Sequence, residues 1–345
     1  MNSLPVGSRG GQAEKEKPMS DNLLEIKDLH IEFRTFDGVV KAINGMSFNV
    51  PRGKTIGLVG ETGAGKTTTA LAVMGLVPSP PGVITSGQIL FEGEDVLKMS
   101  NLKLRNIRGD KISMIFQNPM TSLNPVYRIG KQMSDVIMMH QNVDRKTAEQ
   151  RAGDMLEIVG IRRERLNNYP HEFSGGMKQR VCIAMGLSCN PQLLIADEPT
   201  TALDVTIQAQ ILELMKGLKE KYNTSTIFIT HALGVVAEIA DYVVVAYAGM
   251  VIEQGSLKEI FTDPKHPYTK GLFACLPDID SESSGALKVI PGAMPDPMQL
   301  PVGCKFCKRC PEAMKICYMK EPEDIEIAEE HKVRCHLYQM GSKKQ

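Results

Sequence analysis

The sequence has no excess charge of either sign, because its 345 residues include 40 Lys and Arg and 40 Asp and Glu. This balance argues against a broad electrostatic surface for nucleic acid or anionic lipid, and we expect no nucleic-acid partner. No apolar run approaches the roughly 18–20 residues that a membrane-spanning helix needs. Residues 1–20 also lack the apolar core of a secretory signal. We therefore predict a disordered leader there, and any membrane contact through a partner.

Cysteine is scarce in most of the chain but not near its end. Five of the eight cysteines lie between Cys304 and Cys335. A chain without a secretory signal is expected in a reducing cytoplasm, where clustered cysteines more often bind metal than form disulfides. Cys182, Cys189 and Cys275 are isolated, and we predict that they pack in the core.

Hydrophobic patterning divides the rest of the chain into parts. Residues 21–260 are predicted to form an α/β core, because apolar strands alternate with helical segments and therefore build a mostly parallel sheet. The alternating pattern over residues 23–50 predicts an antiparallel β subdomain, with Gly45 as a turn signal. Residues of about 100–172 predict a helical subdomain. A shift to Pro, Cys and Lys then marks a small Cys-rich C-terminal extension, residues 261–345.

The first chemical motif is a glycine-rich loop between an apolar strand, residues 55–59, and a helix predicted over residues 66–77. Its spacing, G-x-x-x-x-G-K-[ST], is typical of loops whose backbone N–H groups and helix N-terminus bind phosphate. In such a loop Lys66 reaches the β- and γ-phosphates, and the Thr67 hydroxyl ligates Mg²⁺. We therefore predict ATP and Mg²⁺ as cofactors. The predicted binding residues are Gly60, Glu61, Thr62, Gly63, Ala64, Gly65, Lys66, Thr67 and Thr68.

A second buried strand, residues 193–196, ends in two carboxylates. Asp197 at the strand tip is predicted to hold Mg²⁺ through water, and Glu198 to polarise the attacking water. Acid pairs at strand ends are common, so this prediction depends on the phosphate loop upstream.

A second glycine-rich turn, Ser174-Gly175-Gly176, precedes another predicted helix and forms a further phosphate-binding surface. One nucleotide has no evident use for two such surfaces in one chain. The run Ser-Gly-Gly-x-x-x-Arg resembles the signature motif of ABC ATPases. That resemblance implies that two subunits pair head to tail, so that each signature covers the nucleotide on the other subunit's phosphate loop.

The resemblance to ABC ATPases also implies roles for isolated residues. Gln117 resembles the Q-loop glutamine, a catalytic sensor of Mg²⁺ and water, and His231 resembles the switch histidine that contacts the γ-phosphate. Asp204 resembles the D-loop aspartate at the dimer interface. An aromatic residue upstream of the phosphate loop should stack on adenine, and the spacing favours Phe33 over Phe36.

Residues 116–125, 230–237 and 266–269 resemble the dipeptide and oligopeptide importer ATPases in particular. The resemblance covers about residues 23–338 and implies an ATP-hydrolysing subunit that drives peptide uptake from the cytoplasmic face of the membrane. The implied partners are a second ATPase subunit, two transmembrane permease subunits and an extracytoplasmic solute-binding protein. Relatives also carry nickel or other small solutes, so such a substrate is the alternative.

The clustered cysteines have a counterpart in the same family. Cys304, Cys310, Cys317 and Cys335 stand where some relatives bind a [4Fe–4S] cluster, and Cys307 is an extra thiol. Four thiolates would equally suit Zn²⁺, and unligated thiols are the third alternative.

Soluble ABC ATPases share the nucleotide motifs and are the rival class. Those that organise or repair chromosomes carry long coiled-coil segments between phosphate loop and signature, and residues 68–172 are too few for these. Ribosome-associated ABC factors usually carry two cassettes, and only one is present in this sequence.

Overall fold

Two β-sheets organise the part of the chain that the computed structural model describes, which is residues 21–201, 203–275 and 289–339. The predicted leader, residues 1–20, lies outside these ranges. The strands are β1 (Asn22–Thr35), β2 (Gly38–Pro51), β3 (Thr55–Val59), β4 (Gly82–Phe91), β5 (Glu94–Asp95), β6 (Ile112–Ile115), β7 (Leu193–Asp197), β8 (Ser225–Thr230), β9 (Tyr242–Tyr247), β10 (Met250–Ser256), β11 (Asp324–Ala328) and β12 (His331–Arg334).

Helices connect these strands. They are α1 (Lys66–Val73), α2 (Asn101–Ile107), α3 (Pro119–Ser122), α4 (Ile129–Gln141), α5 (Arg145–Ile158), α6 (Gly175–Leu187), α7 (Val205–Tyr222), α8 (Leu233–Ile239), α9 (Leu257–Thr262), α10 (Pro267–Ala274), α11 (Lys315–Met319) and α12 (His336–Gln339). Among the described residues, no helix has both the length and the apolarity needed to cross a membrane.

The larger sheet has the strand order β11-β12-β10-β9-β3-β8-β7-β6. Its five strands from β9 to β6 are parallel to one another, whereas β10 pairs antiparallel with β9. Every residue of β3, β7 and β8 is buried, as expected for central strands covered by helices on both faces. The predicted mostly parallel sheet is therefore confirmed, and the carboxyl ends of β3, β7 and β8 lie along one edge.

The smaller sheet is antiparallel, with the order β2-β1-β4-β5. It confirms the predicted antiparallel subdomain, but Gly45 is not at a turn. Gly45 lies inside β2 with φ +96°, where the pairing with β1 skips from Leu29–Met46 to His30–Asn44. The extra residue makes a β-bulge, for which a glycine at positive φ is well suited.

The nucleotide-loop helix α1 is shorter than the residues 66–77 predicted for it. It ends at Val73, well before the prolines that begin at Pro78. Gly75 adopts φ +61°, a left-handed conformation that terminates helices. The helix therefore stops at a glycine.

The helical subdomain contains α4 and α5, which pack on α6. Ile129, Met133 and Ile137 recur at helical spacing on α4 and are buried in one core cluster with Ala148 and Ala152 of α5. The same cluster includes residues of β6 and β7. The subdomain is thus connected to the larger sheet through a shared hydrophobic core.

The C-terminal extension continues the larger sheet. Strand β12 pairs with β10, so that Glu253 faces Val333, and β11 adds a further antiparallel strand. Tyr268 and Phe306 of the extension are buried in one cluster with Tyr247 of β9. The extension is therefore packed directly against the strands that border the phosphate loop.

Candidate active site

The phosphate loop, residues 60–67, runs from the end of β3 into α1. Gly60 has φ +151°, and a Cβ there would lie 2.2 Å from the carbonyl oxygen of Ala246. Gly63 and Gly65 have φ +88° and +93°, and a Cβ on Gly65 would lie 2.6 Å from Ile43 Cδ1. Glycine is required at Gly60 and Gly65 because the loop threads tightly between its neighbours. The strand–loop–helix arrangement is the one that the motif predicts.

Lys66 lies inside this loop. Its Nζ donates to the carbonyl oxygens of Gly60 at 2.6 Å and Glu61 at 3.0 Å. Burial lowers the pKa of Lys66, while the nearby charges of Glu198, Asp197 and Glu61 oppose that shift. The loop therefore curls around an ammonium group, as a site for anionic phosphate requires. Thr62 and Thr67 are exposed, whereas Thr68 is half-buried.

Asp197 at the end of β7 is almost fully buried, with 2% of its surface exposed. Burial raises the pKa of its carboxyl group, and a hydrogen bond with Thr67 opposes that effect. Its Oδ1 has no hydrogen-bond partner within the described part of the chain. A buried, unpartnered carboxylate oxygen beside a threonine hydroxyl fits the hard-oxygen donor set that Mg²⁺ prefers.

Glu198 is the point on which three side chains converge. Its Oε2 accepts hydrogen bonds from Gln117 Nε2 and from the Thr201 hydroxyl, both at 2.9 Å. Its Oε1 lies 3.2 Å from His231 Nδ1. Burial alone would raise the pKa of Glu198, but the hydrogen bonds from His231, Thr201 and Gln117 outweigh it, and the pKa is lowered. The carboxylate is therefore held ionised and in a fixed orientation at neutral pH.

The backbone at Glu198 is also unusual. Its φ is +47°, in the left-handed region that non-glycine residues rarely adopt. The Glu198 N–H donates to the carbonyl oxygen of Ile229 on β8 at 2.9 Å, which holds this conformation in place. Such strain often occurs where a side chain must be aimed at a functional site.

The signature turn lies elsewhere on the surface. Ser174 caps α6, and its Oγ accepts a hydrogen bond from Met177 N at 3.4 Å. A pocket of about 700 Å³ opens beside it, and none of the residues that line it belongs to the phosphate loop. The lining residues include Ser174, Gly175, Gly176, Arg180 and Asp204. Asp204 itself caps α7 by accepting from Ile207 N at 2.9 Å, and its neighbour Ala202 lies outside the described residues.

The two aromatic residues that could stack on adenine differ in burial. Phe33 on β1 is half-buried and packs against the core, and it pairs with Val40 on the hairpin that carries Ile43 to the phosphate loop. Phe36 is fully exposed at the hairpin turn. Phe33 thus lies on the strand paired with the one that carries Ile43 to the loop, and the structure gives no contact between either ring and the loop itself.

The clustered cysteines do not form a metal site in this arrangement. All are free thiols, and among the described residues no group of three or more His, Cys, Asp or Glu side chains is arranged to hold a metal ion. Burial raises the pKa of Cys304 to about 12 and that of Cys335 to about 11. The expected [4Fe–4S] cluster or Zn²⁺ is therefore not supported. Of the isolated cysteines, Cys182 and Cys189 are buried and Cys275 is half-buried.

Some neighbours of the site have no signal in the sequence. Thr201 donates a hydrogen bond to Glu198 and lies four residues after Asp197, but it belongs to none of the motifs described above. Arg309 and Tyr268 of the extension contact Glu61 in the phosphate loop, across more than 200 residues of chain. Only the folded arrangement reveals these contacts.

Comparisons with known proteins show which families this chain resembles. The family described as ABC transporter matches residues 43–201, and the family described as oligopeptide/dipeptide transporter, C-terminal region, matches residues 252–317. An ATP-binding cassette dimer bound to ADP and Pi has a TM-score of 0.62 at 24% identity, and the match covers 68% of this chain and 98% of that one. The cbiO1 protein of Clostridium perfringens, part of an ABC transporter complex, has a TM-score of 0.60 at 29% identity over 71% of this chain and 92% of its own.

The fold and the phosphate loop define an ABC-type ATPase, an enzyme that hydrolyses ATP. Sequence relatives narrow this class. The oligopeptide transport ATP-binding protein OppD of Bacillus subtilis is 52% identical over 91% of this chain and 88% of its own. The dipeptide transport ATP-binding protein DppD of the same organism is 47% identical over 92% and 95%. The chain belongs to this family of oligopeptide and dipeptide transport ATP-binding proteins.

Proposed function

We propose that this chain is the ATP-hydrolysing subunit of an ABC importer that drives uptake of dipeptides or oligopeptides across the cytoplasmic membrane. The catalytic part of this proposal is supported by the convergence of Gln117, Thr201 and His231 on Glu198, at the sheet edge where the phosphate loop begins. A surface that only bound nucleotide would not need an oriented, ionised carboxylate there. The family membership carries the transport part.

The catalytic roles follow from the side chains. Bound MgATP supplies a γ-phosphoryl group for transfer to water. Lys66 binds phosphate oxygens, and Thr67 with Asp197 holds the metal, because the buried Asp197 Oδ1 is unpartnered among the described residues. Glu198 accepts a hydrogen bond from the attacking water and orients it. Gln117 and His231 hold that carboxylate, so loss of either is expected to misdirect it.

The signature pocket supports a site shared between two subunits. Ser174, Gly175 and Gly176 line a pocket that contains no phosphate-loop residue, so the turn does not serve the nucleotide held by its own Lys66. In a head-to-tail pair it faces the nucleotide of a second ATPase subunit, with Asp204 at the same surface. Closure of the pair on ATP, and its release after hydrolysis, is the conformational cycle that we propose.

The motion must reach the membrane through other chains. Gln117 stands between the end of β6 and the start of α3, where the sheet core joins the helical subdomain, and is placed to act as a hinge. We infer two transmembrane permease subunits, an extracytoplasmic solute-binding protein and a peripheral position on the cytoplasmic face of the membrane. The support is the family of the relatives and the matched C-terminal region.

Reconstitution tests this proposal. The chain is combined in proteoliposomes with the ATPase, permease and binding-protein products of neighbouring genes, and uptake of a labelled dipeptide, a labelled oligopeptide and Ni²⁺ is measured. We expect ATP-dependent peptide uptake that is lost in Lys66→Ala. Uptake of Ni²⁺ without peptide would favour the small-solute alternative. Full ATPase activity without any membrane subunit, together with no uptake, would contradict the transport proposal and favour a soluble ABC ATPase.

A further inference from the structure

The phosphate loop carries a carboxylate that none of the catalytic steps uses. Glu61 is the second residue of the loop, in which phosphate is expected to bind, and its side chain is 31% exposed. A negative charge in such a loop repels a nucleotide phosphate unless another group neutralises it. The structure supplies that group from outside the ATPase core.

Arg309 in the C-terminal extension pairs with this carboxylate. Its Nη1 lies 3.0 Å from Glu61 Oε1 and 3.1 Å from Oε2, and its side chain is only 6% exposed. An ion pair with one buried partner is screened less by solvent than a surface pair. The positive charge of Arg309 therefore offsets the negative charge of Glu61 at the loop.

Arg309 is itself held by several fixed groups. Its Nε donates to the carbonyl oxygen of Pro291 at 2.9 Å, and its Nη1 lies 3.4 Å from the Tyr247 hydroxyl. The guanidinium also lies 5.9 Å from the ring centroids of Tyr247 and Phe306, within the range of a cation–π interaction. The arginine is thus pre-positioned for Glu61 and loses little freedom in binding it.

A second contact from the extension holds the backbone of the same residue. The Glu61 N–H donates to the hydroxyl of Tyr268, at 3.0 Å, and Tyr268 is fully buried on α10. The side chain and the backbone of Glu61 are therefore both held by the extension. Within the loop, the Ala64 N–H donates to the Glu61 carbonyl oxygen at 3.1 Å, so the held Glu61 backbone in turn supports the residues that follow it.

We propose that Arg309 is a positioning residue for the phosphate loop: it neutralises Glu61 and, with Tyr268, anchors the start of the loop, so that nucleotide affinity depends on the C-terminal extension. This inference rests on the proposed binding of ATP at Lys66. The proposed role of the extension in nucleotide binding does not depend on whether the clustered cysteines bind a metal.

A double-mutant cycle on the full-length protein tests the proposal, with binding of a fluorescent ATP analogue in the presence of Mg²⁺ as the measurement. Loss of a hydrogen-bonded charge pair predicts that Arg309→Met weakens binding by about tenfold. In the Glu61→Gln background, where no charge needs neutralising, the same change should alter the dissociation constant less than twofold. Arg334→Met is the matched control, because Arg334 pairs with Asp324 and Glu321 inside the extension. We expect it to leave affinity unchanged.

The outcomes separate the possibilities. If Arg309 only holds the extension in place, Arg309→Met will lower the unfolding midpoint and leave nucleotide affinity unchanged, or it will weaken affinity equally in the wild-type and Glu61→Gln backgrounds. Either result overturns the proposal. If Arg309→Met does not fold, Arg309→Lys replaces it in the double-mutant cycle. Lysine keeps the positive charge but lacks the planar guanidinium group of arginine. The expected weakening is then about threefold and is again abolished by Glu61→Gln. Absence of binding by the wild-type protein would instead refute the ATP site itself.

Discussion

Replacing Glu198 by glutamine removes the charge at the centre of the proposed active site while conserving the shape of the side chain. Gln117 and Thr201 both donate to Oε2, so a glutamine carbonyl oxygen placed there keeps both hydrogen bonds. The amide NH₂ group then faces His231 Nδ1, which accepts a hydrogen bond in the other tautomer of the ring. We therefore expect a free energy of unfolding within about 0.5 kcal/mol of the wild type.

The expected loss is in chemistry. Without a carboxylate the site cannot take up a proton from the attacking water, and loss of a positioned general base costs about 10²–10⁴-fold in rate. This corresponds to about 3–5 kcal/mol of activation free energy. The assay is phosphate release by the protein assembled with its partner subunits. Binding of a fluorescent ATP analogue, measured in parallel, should be retained.

A change at Thr201 provides the matched control. Thr201→Val removes one donor to Glu198 but leaves the carboxylate and the bond from Gln117, so we expect a loss below about tenfold, the scale of one charge-assisted hydrogen bond. A Glu198→Gln turnover within threefold of the wild type would refute the assigned role. So would a Thr201→Val effect as large as that of Glu198→Gln.

Three further predictions concern a buried carboxylate, its pH dependence and a pair of glycines. Glu253→Ala should lower the free energy of unfolding by about 3–5 kcal/mol, because the buried Glu253 carboxylate accepts hydrogen bonds from Lys265 N, His266 N and His331. Thermal denaturation measures this loss, with Glu329→Ala at an exposed position as the control. Burial acts to raise the pKa of Glu253, but these hydrogen bonds outweigh it and lower the pKa in the folded state. The stability that Glu253 contributes is therefore fully present above its ordinary pKa of 4.5 and is lost as pH falls through the lower folded pKa. Unchanged wild-type stability across that pH range would contradict this prediction. Gly60→Ala should abolish nucleotide binding, because the new Cβ would lie 2.2 Å from a backbone carbonyl oxygen. Gly217→Ala is the control, since Gly217 lies on an exposed turn of α7 with open space around it. This control should raise the free energy of unfolding by about 0.5–1 kcal/mol in the same denaturation assay.

Local patterns predicted many elements closely. Strand β3 has the predicted bounds, because a continuous apolar run is a feature of contiguous sequence. Boundaries set by single residues were harder to predict. The sequence does not show that Gly45 relieves a bulge within a strand, or that Gly75 ends α1 before the prolines, because both depend on the φ angle that the surrounding structure imposes.

The fold of the extension was the hardest part of the structure to predict from the sequence. Its composition indicated a small separate unit around cysteines, but the structure inserts β12 beside β10 and packs Phe306 against Tyr247. Strand pairing between segments nearly 80 residues apart carries no local signature. The cysteines, although close in sequence, lie in an arrangement that does not form a metal site among the described residues.

The sequence alone determined the presence of a phosphate loop, a strand ending in two carboxylates and a signature turn, because each is a short run whose chemistry depends on adjacent residues. Only the tertiary structure decided how these runs meet. Gln117 and His231 come to Glu198 from separate strand ends, since parallel strands bring their carboxyl ends to one edge of the sheet. Arg309 reaches Glu61 across 248 residues because the extension packs on that same edge. Contacts of this kind follow from topology, which no local pattern encodes.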